Sequence, residues 1–381
     1  MPAPKGASEH IEAFARALAE AFGELELVTL GDESHQGSLR VPADPRDPQA
    51  LSRFRIGVSG DFLERVVTFR GELLRHWGAA RRPFAHVRSI FEGYPLARAR
   101  DRLVDKLIFE VNALPSVELK YHHADVADDR ELCRKLRAQE TACLREADCI
   151  IVPSDVTADF VASRGADAAR VRVVRNGVDL AWYTWPPPRP TPTPSLRILY
   201  VGTFSPWQGV GVAIEALGLL GGSALLTLVG PCRGRQRAEI EGAARRAGVD
   251  ARVVLAQPVS AIELPALYAT HDVAIAPLTA TERNVEQGCC PLKILEAMAA
   301  GIPLVASDLP VVRELCGPDE AWLVKANRAR AIAEAWSAIA ADPAEATGRA
   351  ARARERVVRG GGWKNSCARL LSAYAELGVI R

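Results

Sequence analysis

The segment PLKILEAMAAG at residues 291–301 carries two charged side chains at a spacing that could serve a binding site. Its apolar pattern predicts a helix that starts near Pro291 and is closed by Gly301. Lys293 would lie in the first turn, where its charge and the free backbone N–H groups can neutralise a phosphate. Glu296 follows about one turn later, and a carboxylate can accept hydrogen bonds from both hydroxyls of a vicinal diol.

A glycine-containing turn upstream could bind the same kind of ligand. The segment LRILYVGTFSPWQGVGVAIEALGLL predicts a strand, a turn and a helix, as in the first unit of a Rossmann-like domain. Gly202 and Thr203 end the strand and Gly209 lies near the helix start, so backbone N–H groups can approach phosphate without interference from Cβ. A turn that serves packing alone is the alternative.

The elements that would position these residues fall into two halves. A proline cluster between Pro186 and Pro194 indicates an extended linker. On both sides of it, apolar strand patterns alternate with helical ones, which is typical of parallel sheets wound by crossover helices. We therefore predict an N-terminal Rossmann-like domain, a linker, a C-terminal Rossmann-like domain and a closing helix that packs across the domains, at residues 1–185, 186–195, 196–360 and 361–381.

The beginning of the chain departs from this pattern. A doubly wound domain normally opens with a strand and a glycine-rich turn, but PKGASEHIEAFARAL already has the pattern of that turn and its helix. We therefore expect the first strand of the N-terminal domain to be missing.

Composition limits the class of protein. The formal net charge of +2 arises from 48 basic and 46 acidic residues, so we expect no nucleic acid partner. No apolar run approaches the roughly 20 residues of a membrane-spanning helix, and the start lacks the apolar core of a signal peptide. The eight cysteines form no C-x-x-C pair, which favours reduced thiols and a cytoplasmic location.

Several segments resemble, in order along the chain, the retaining family 4 glycosyltransferases, also called group 1 glycosyltransferases. They are KGASEHI, FEVNA, EADCIIVPS, VRNGVDL, VGTFSPWQGV and PLKILEAMAAGIPLVASDLPVVREL. The F-S-P-W-Q-G stretch resembles one branch of that family. The resemblance implies a GT-B fold, with two Rossmann-like domains facing across a cleft. It also implies transfer of a sugar, with retention, from a UDP- or GDP-linked donor to a hydroxyl of a glycan, lipid-linked or small-molecule acceptor, without cofactor or metal.

The resemblance also assigns donor-binding residues in the C-terminal domain. Glu296 resembles the carboxylate that accepts both ribose hydroxyls of the nucleotide, and Val259 lies in a turn resembling the one that holds the base. The full set of predicted donor-binding residues is Gly202, Thr203, Gln208, Gly209, Arg233, Val259, Glu286, Gly288, Cys289, Cys290, Pro291, Leu292 and Glu296.

Two of these positions depart from the family pattern. Gln208 stands where most relatives carry a basic residue, so Lys293 or Arg233 must supply the positive charge. Gly288 stands where many relatives carry a second glutamate that contacts the transferred sugar. Glu286 is a candidate replacement, and the alternative is that backbone amides hold the sugar.

On the acceptor side, relatives often place a histidine at the end of the strand that corresponds to KLIFEV, whereas this chain has Glu110 and Asn112. Together with Lys293 these are our catalytic candidates. Lys5, Gly6 and Ser8 resemble the turn that faces the donor diphosphate. The mechanism implied is same-face substitution, in which the departing phosphate deprotonates the incoming hydroxyl.

Other interpretations remain open. The departures at Gly288 and Gln208 and the missing strand are compatible with a catalytically silent nucleotide-sugar-binding protein, and an epimerase could share the fold. The sequence contains no D-x-D motif and no His/Cys/Asp cluster with metal-ligand spacing, so we predict no metal site. The many arginines between Arg53 and Arg102 form either a solvated face or a peripheral contact with the inner membrane face.

Overall fold

The chain forms two α/β domains in the computed structural model, which describes residues 6–31, 38–41, 47–122, 126, 128–187 and 195–380. The N-terminal helices are α1 Gly6–Phe22, α2 Phe62–Trp77, α3 Ile90–Arg98, α4 Arg100–Leu103, α5 Pro115–His122, α6 Arg130–Glu146 and α7 Asp155–Ser163. The strands between them are β1 Leu25–Leu30, β2 Leu39–Val41, β3 Leu51–Ile56, β4 Arg82–Val87, β5 Val104–Glu110, β6 Cys149–Val152 and β7 Val171–Val173.

The second domain repeats the alternation. Its strands are β8 Arg197–Val201, β9 Leu225–Val229, β10 Val253–Ala256, β11 Val273–Ala276, β12 Leu304–Ser307 and β13 Trp322–Val324. Its helices are α8 Val210–Leu219, α9 Gly234–Arg246, α10 Leu264–Ala269, α11 Leu292–Ala300, α12 Pro310–Arg313, α13 Ala329–Ala341 and α14 Pro343–Gly360, and α15 Trp363–Glu376 follows.

The second domain contains one six-stranded parallel sheet in the order β10-β9-β8-β11-β12-β13. Apolar side chains cover both of its faces, and the indole of Trp336 is fully buried on one of them. The order reverses between β8 and β11. In open α/β sheets, ligands bind outside the carboxyl ends of the strands at such a reversal.

The first domain is divided into two sheets. One has the order β1-β3-β2 and the other has the order β4-β5-β6-β7, in which all pairs are parallel. The described residues begin with α1 itself, so they do not include a strand before it. A right-handed crossover through α1 would place such a strand beside β1, where the two sheets separate.

Aromatic side chains connect the two sheets at this separation. The ring of Phe22 at the end of α1 lies 4.5 Å from the ring of Phe84 on β4. Tyr374 of α15 packs edge-on against both rings, at centroid distances of 5.7 and 5.3 Å. Helix α15 therefore returns to the first domain and packs beside α1.

The chain passes between the domains twice, and the two crossings are hydrogen-bonded to each other. Val178 N donates to Gly361 O at 2.9 Å, and Trp363 N donates to Val178 O at 3.2 Å. A Cβ at Gly177 would lie 2.5 Å from Trp363 N, so only glycine allows this approach. The two crossings thus form one short double strap.

Candidate functional site

Helix α11 begins after Pro291 and ends at Gly301, which has φ +64°, as the sequence predicts. No side chain caps its first turn, so that end offers free N–H groups and the positive end of the helix dipole. Lys293 and Glu296 both project from this first part of the helix. The site can be built outward from these two side chains.

Lys293 is directed into the turn after β8. Its Nζ donates to Gln208 Oε1 at 2.6 Å and lies 4.0 Å from the centre of the Tyr200 ring. Burial lowers the pKa of Lys293 to about 7, although the nearby Glu296 carboxylate acts in the opposite direction. The lysine thus lies close to the position where the sequence lacks the basic residue of its relatives.

Glu296 is 7% exposed, and its Oε2 accepts a hydrogen bond from the Tyr268 hydroxyl at 3.4 Å. Burial raises the pKa of Glu296 to about 7, the negative charge of Glu9 adds to this rise, and Lys293 opposes it. Glu9 belongs to α1 of the first domain, and burial also raises its pKa. The sequence analysis did not single out Glu9, although it lies within the quoted KGASEHI segment.

Close packing requires the glycine at position 209, and Gly202 has φ +143°, a conformation that side chains rarely adopt. A Cβ at Gly209, which has φ +75°, would overlap the carbonyl oxygen of Pro277. A Cβ at Gly202 would come within 2.8 Å of the Lys293 Nζ. Thr203 contributes its carbonyl oxygen, which accepts a hydrogen bond from the Tyr200 hydroxyl. The glycines therefore shape the turn around Lys293, which a role in phosphate binding also requires.

The loop at residues 282–291 is held against the first domain, with a π-helical turn at Arg283–Gln287. Gly288 has φ +81°, and a Cβ there would lie 2.7 Å from Thr157 Oγ1 and 2.9 Å from Ser154 Oγ. A glutamate at this position, as in many relatives, has no room in this arrangement. Glu286 is exposed on the π-helical turn.

Polar contacts fix this 282–291 loop to the first domain. Gln287 is fully buried and its Oε1 accepts a hydrogen bond from Leu114 N at 2.8 Å. Arg283 pairs with Glu118 of α5, and its Nη1 donates to Gly288 O at 2.5 Å. Burial raises the pKa of the neighbouring Cys289 and Cys290 thiols, the latter to about 12, so both thiols stay protonated at neutral pH.

Glu110 lies at the end of β5 as the centre of a buried group of side chains. Arg88 Nε donates to its Oε1 at 2.8 Å, the imidazole nitrogens His10 Nε2 and His86 Nε2 lie 2.9 Å from its oxygens, and Asn112 Nδ2 also donates to it. We call these five residues the Glu110 cluster. Although burial acts to raise it, the pKa of Glu110 is held well below its usual range by Arg88 and His10.

This arrangement changes the role expected for Glu110. Its side chain is 3% exposed, Arg88 and Asn112 donate to its oxygens, and two imidazole nitrogens lie 2.9 Å from them, so the geometry favours a positioning role over direct contact with a substrate hydroxyl. Sequence reasoning missed His10, His86 and Arg88. His10 stood in the quoted KGASEHI segment and Arg88 among the arginines between Arg53 and Arg102, but neither was assigned to the site.

A side-chain bridge connects the Glu110 cluster to the helix that carries Lys293. His10 Nδ1 lies 2.5 Å from Asn176 Oδ1, and Asn176 Nδ2 donates to Cys290 O at 2.7 Å. Cys290 immediately precedes Pro291, the N-cap of α11. Asn176 is the asparagine of the quoted VRNGVDL segment.

The remaining predicted residues lie farther from these contacts or outside the description. Arg233 is exposed and caps α9, where its backbone N donates to Gln236 Oε1 at 3.1 Å. Val259 is partly buried after β10, and Leu292 is partly buried at the start of α11. Gly6 and Ser8 lie in the first turns of α1, and Lys5 lies outside the described residues.

Three further observations concern the described residues as a whole. All eight cysteines are free. Within the described ranges, no group of three or more His, Cys, Asp or Glu side chains could hold a metal ion. A search of the same part of the chain for helices long and apolar enough to cross a bilayer found none.

Comparison with known proteins gives matches over both domains. Residues 4–182 match the family described as Glycosyltransferase Family 4, and residues 195–342 match Glycosyl transferases group 1. D-inositol 3-phosphate glycosyltransferase of Xylanimonas cellulosilytica is 32% identical over 57% of this chain and 54% of its own length. The chain thus spans about half the length of the curated relatives it matches.

Solved structures show the same architecture. Sucrose-phosphate synthase from Thermosynechococcus elongatus superposes with a TM-score of 0.80 at 22% identity, covering 99% of this chain and 96% of the other. Anabaena HepE in complex with UDP-glucose gives a TM-score of 0.67 at 16% identity, covering 85% and 86%. The predicted GT-B fold, with two α/β domains built on parallel sheets, is confirmed.

Proposed function

We propose that this chain, which carries a Glycosyltransferase Family 4 domain and a Glycosyl transferases group 1 domain on one GT-B fold, transfers a sugar from a nucleotide diphosphate to an acceptor hydroxyl. The observation that carries the proposal is the placement of Lys293 and Glu296 on the uncapped first turns of α11. This pair offers a cation and amides for a diphosphate and a carboxylate for a ribose diol.

The donor is a nucleotide sugar, with uridine as the first base to test. The HepE neighbour was solved with UDP-glucose, and its fold matches over most of this chain. In our proposal Glu296 accepts both ribose hydroxyls, Lys293 neutralises the diphosphate, and the turn from Gly202 to Gly209 approaches the phosphates through its backbone. GDP-linked sugars are the second class to test.

The proposed chemistry proceeds with retention and without a metal. The bond between the anomeric carbon and the departing phosphate oxygen breaks while the acceptor oxygen bonds to the same face of that carbon. The acceptor proton passes to the departing phosphate. Lys293 and the α11 amides stabilise the negative charge that develops on this phosphate.

The contacts between the domains give this reaction a closed site. Gln287 accepts from Leu114 N and Arg283 pairs with Glu118, so the 282–291 loop is held between the domains. Exclusion of water from a closed cleft protects an activated sugar from hydrolysis. We propose that opening for donor entry breaks these contacts.

The proposal is tested by screening UDP- and GDP-linked sugars for a rise in Tm, followed by assays for nucleoside diphosphate release with a panel of acceptors. A ligand that binds only the folded state raises its apparent stability. Binding together with a glycosylated product of retained configuration supports the proposal. Failure to bind any nucleotide sugar contradicts the proposed donor. Dependence of turnover on added divalent metal after EDTA treatment contradicts the proposed metal-independent chemistry.

The same assays separate two alternatives. A silent nucleotide-sugar-binding protein would bind the donor without hydrolysis or transfer. An epimerase would convert the donor without an acceptor, which proton NMR of the nucleotide sugar detects. The packed Gly288, where many relatives carry a glutamate, is the observation that keeps the silent protein as the second candidate.

We also propose a peripheral contact with the cytoplasmic face of the membrane, through α2. Leu63, Val67 and Leu74 lie 53%, 71% and 38% exposed along this helix. Many of the arginines considered for this role are in ion pairs or side-chain hydrogen bonds, namely Arg53, Arg70, Arg75, Arg81 and Arg100. Flotation with vesicles should therefore depend on Leu63 and Val67 more than on salt.

A further inference from the structure

One arginine of the Glu110 cluster, Arg88, has side-chain N–H groups that no contact within the cluster uses. Arg88 directly follows β4, and its Nε donates to Glu110 Oε1 at 2.8 Å. Its side chain is 25% exposed, whereas that of Glu110 is 3% exposed. Neither of its two terminal nitrogens has a hydrogen-bond partner in the described part of the chain. The guanidinium therefore donates to Glu110 through Nε on its inner edge. Its outer edge, formed by the two terminal nitrogens, remains available to another acceptor.

The inner contacts fix the orientation of this free edge. A buried carboxylate is costly unless other groups donate to it, and Glu110 is in contact with His10, His86 and Asn112 as well as Arg88. His86 is fixed in turn, because its Nδ1 lies 2.8 Å from the Tyr374 hydroxyl. The outer edge of Arg88 is thus a rigid two-pronged donor, which fits two oxygens on one atom.

The position of Arg88 places this donor on the first-domain side of the cleft. It follows β4 at the same carboxyl edge where β5 ends in Glu110. The same cluster continues through His10 and Asn176 to Cys290 O, at the start of α11. Arg88 therefore lies across from the helix to which we assign the donor, on the side where an acceptor would enter.

We propose that Arg88 binds a phosphoryl group of the acceptor, so that this enzyme glycosylates a phosphorylated acceptor and not a neutral sugar. The inference rests on the proposed function, because it assigns the donor to the α11 side. A neutral hydroxyl needs no cation in a closed cleft, whereas a phosphoryl group offers the paired oxygens that the free edge of Arg88 can bind. The phosphoryl group belongs either to a soluble sugar phosphate or to a lipid-linked diphosphate.

Direct binding provides the first test and does not require turnover. Inorganic phosphate is titrated by calorimetry into protein saturated with UDP, which fills the donor site. We expect saturable phosphate binding that weakens at least about tenfold in Arg88→Gln, with Arg88→Lys intermediate because it keeps the charge and loses the two-pronged geometry. Arg134→Gln, an exposed arginine on α6, is the matched control and should bind phosphate as the wild type does.

Transfer assays provide the second test and identify the source of the phosphoryl group. Matched pairs such as glucose and glucose 6-phosphate, or inositol and an inositol phosphate, are compared with a polyprenyl-diphosphate-linked sugar in detergent. We expect kcat/KM for a phosphorylated acceptor to exceed that of its neutral partner by about 100-fold. In Arg88→Gln this preference should disappear through a rise in acceptor KM, with UDP affinity unchanged.

The outcomes separate this inference from the proposed function. If the protein binds and uses nucleotide sugars but accepts neutral sugars equally well, or if Arg88→Gln binds phosphate like the wild type, the inference is wrong and the proposed function stands. If no nucleotide sugar binds, the proposed function itself fails. Arg88→Gln can lower Tm because Glu110 loses its cation, so its phosphate binding is compared with that of Arg88→Lys, which keeps a cation beside Glu110.

Discussion

Lys293 Nζ donates to Gln208 Oε1 at 2.6 Å, so a lysine from α11 occupies the turn where relatives carry a basic residue. The helix thus supplies a positive charge beside a turn that itself carries a neutral glutamine. When a diphosphate binds beside this pair, we expect the Lys293 ammonium to donate to a phosphate oxygen in place of Gln208 Oε1. The donor site we propose depends on this exchange of partners.

Replacing Lys293 by methionine removes this charge and keeps most of the side-chain volume. We expect the affinity for UDP to fall roughly 100-fold, because a charge-assisted hydrogen bond to phosphate is lost. Calorimetry with UDP and with uridine measures the effect, and uridine should be little affected. The exposed Lys325, changed to methionine as a control, should leave both affinities unchanged.

The affinity for UDP should have a maximum near neutral pH. Because burial lowers the pKa of Lys293 to about 7, the contribution of its positive charge to donor affinity is full below that pH and is lost as the lysine deprotonates above it. Because burial raises the pKa of Glu296 to about 7, affinity is also lost as that carboxylate takes up a proton below this pH. Titrations between pH 5 and 9 check this. Lys293→Arg should abolish the alkaline decline, and a flat profile in the wild type would contradict the assignment.

Changing Glu296 to alanine should remove recognition of the ribose hydroxyls. The wild type should bind UDP at least about tenfold more tightly than its 2′,3′-dideoxy analogue, since each hydroxyl donates to a charged acceptor. In the variant, UDP affinity should fall to that of the analogue. Glu334→Ala on α13 serves as the exposed control. Equal loss of affinity for both nucleotides would point to a general structural effect.

Introducing the glutamate that relatives carry, through Gly288→Glu, should disrupt the contact between the domains. The Cβ would meet Thr157 and Ser154, and the positive φ is unfavourable for any side chain. The combined cost is roughly 2–4 kcal/mol. A fall in Tm, together with faster proteolysis of the 282–291 loop, would show it. Gly222→Ala has a similar φ of +83° and no neighbour within 4 Å, so it isolates the cost of backbone strain.

Removing the bridge at Asn176 should weaken binding of the nucleotide sugar, although we assign Asn176 no contact with that ligand. In Asn176→Ala, the carbonyl oxygen of Cys290 loses the hydrogen bond from the Asn176 side chain, and the start of α11 is less firmly held. We expect the donor KM to rise several-fold with kcat less affected, and Asn176→His should recover less than Asn176→Gln. The exposed Asn365→Ala provides the control. A change in kcat alone would argue against positioning through α11.

The sequence predicted those features that depend on local pattern. The helix from Leu292 to Ala300, its glycine end and the strand before Gly202 follow from periodicity and from turn residues. Each of these predictions needs only a short stretch of chain.

The Glu110 cluster could not be predicted in this way. His10, His86 and Arg88 meet Glu110 only because the beginning of α1 lies beside the ends of β4 and β5, and sequence pattern does not fix such contacts. For the same reason the sequence could not show that Gly288 packs against Thr157. Where the chain lacks a residue that relatives have, only the neighbours in space reveal what has taken its place.

The double strap formed by Val178 with Gly361 and Trp363 restricts how the two domains can separate. Because the two chain crossings are held together by the same few backbone hydrogen bonds, we expect the domains to rotate about one line that passes through them. A rotation about that line would separate groups in proportion to their distance from it. Contacts between the domains, such as that between Lys120 and Glu282, must break for such a rotation to open the cleft.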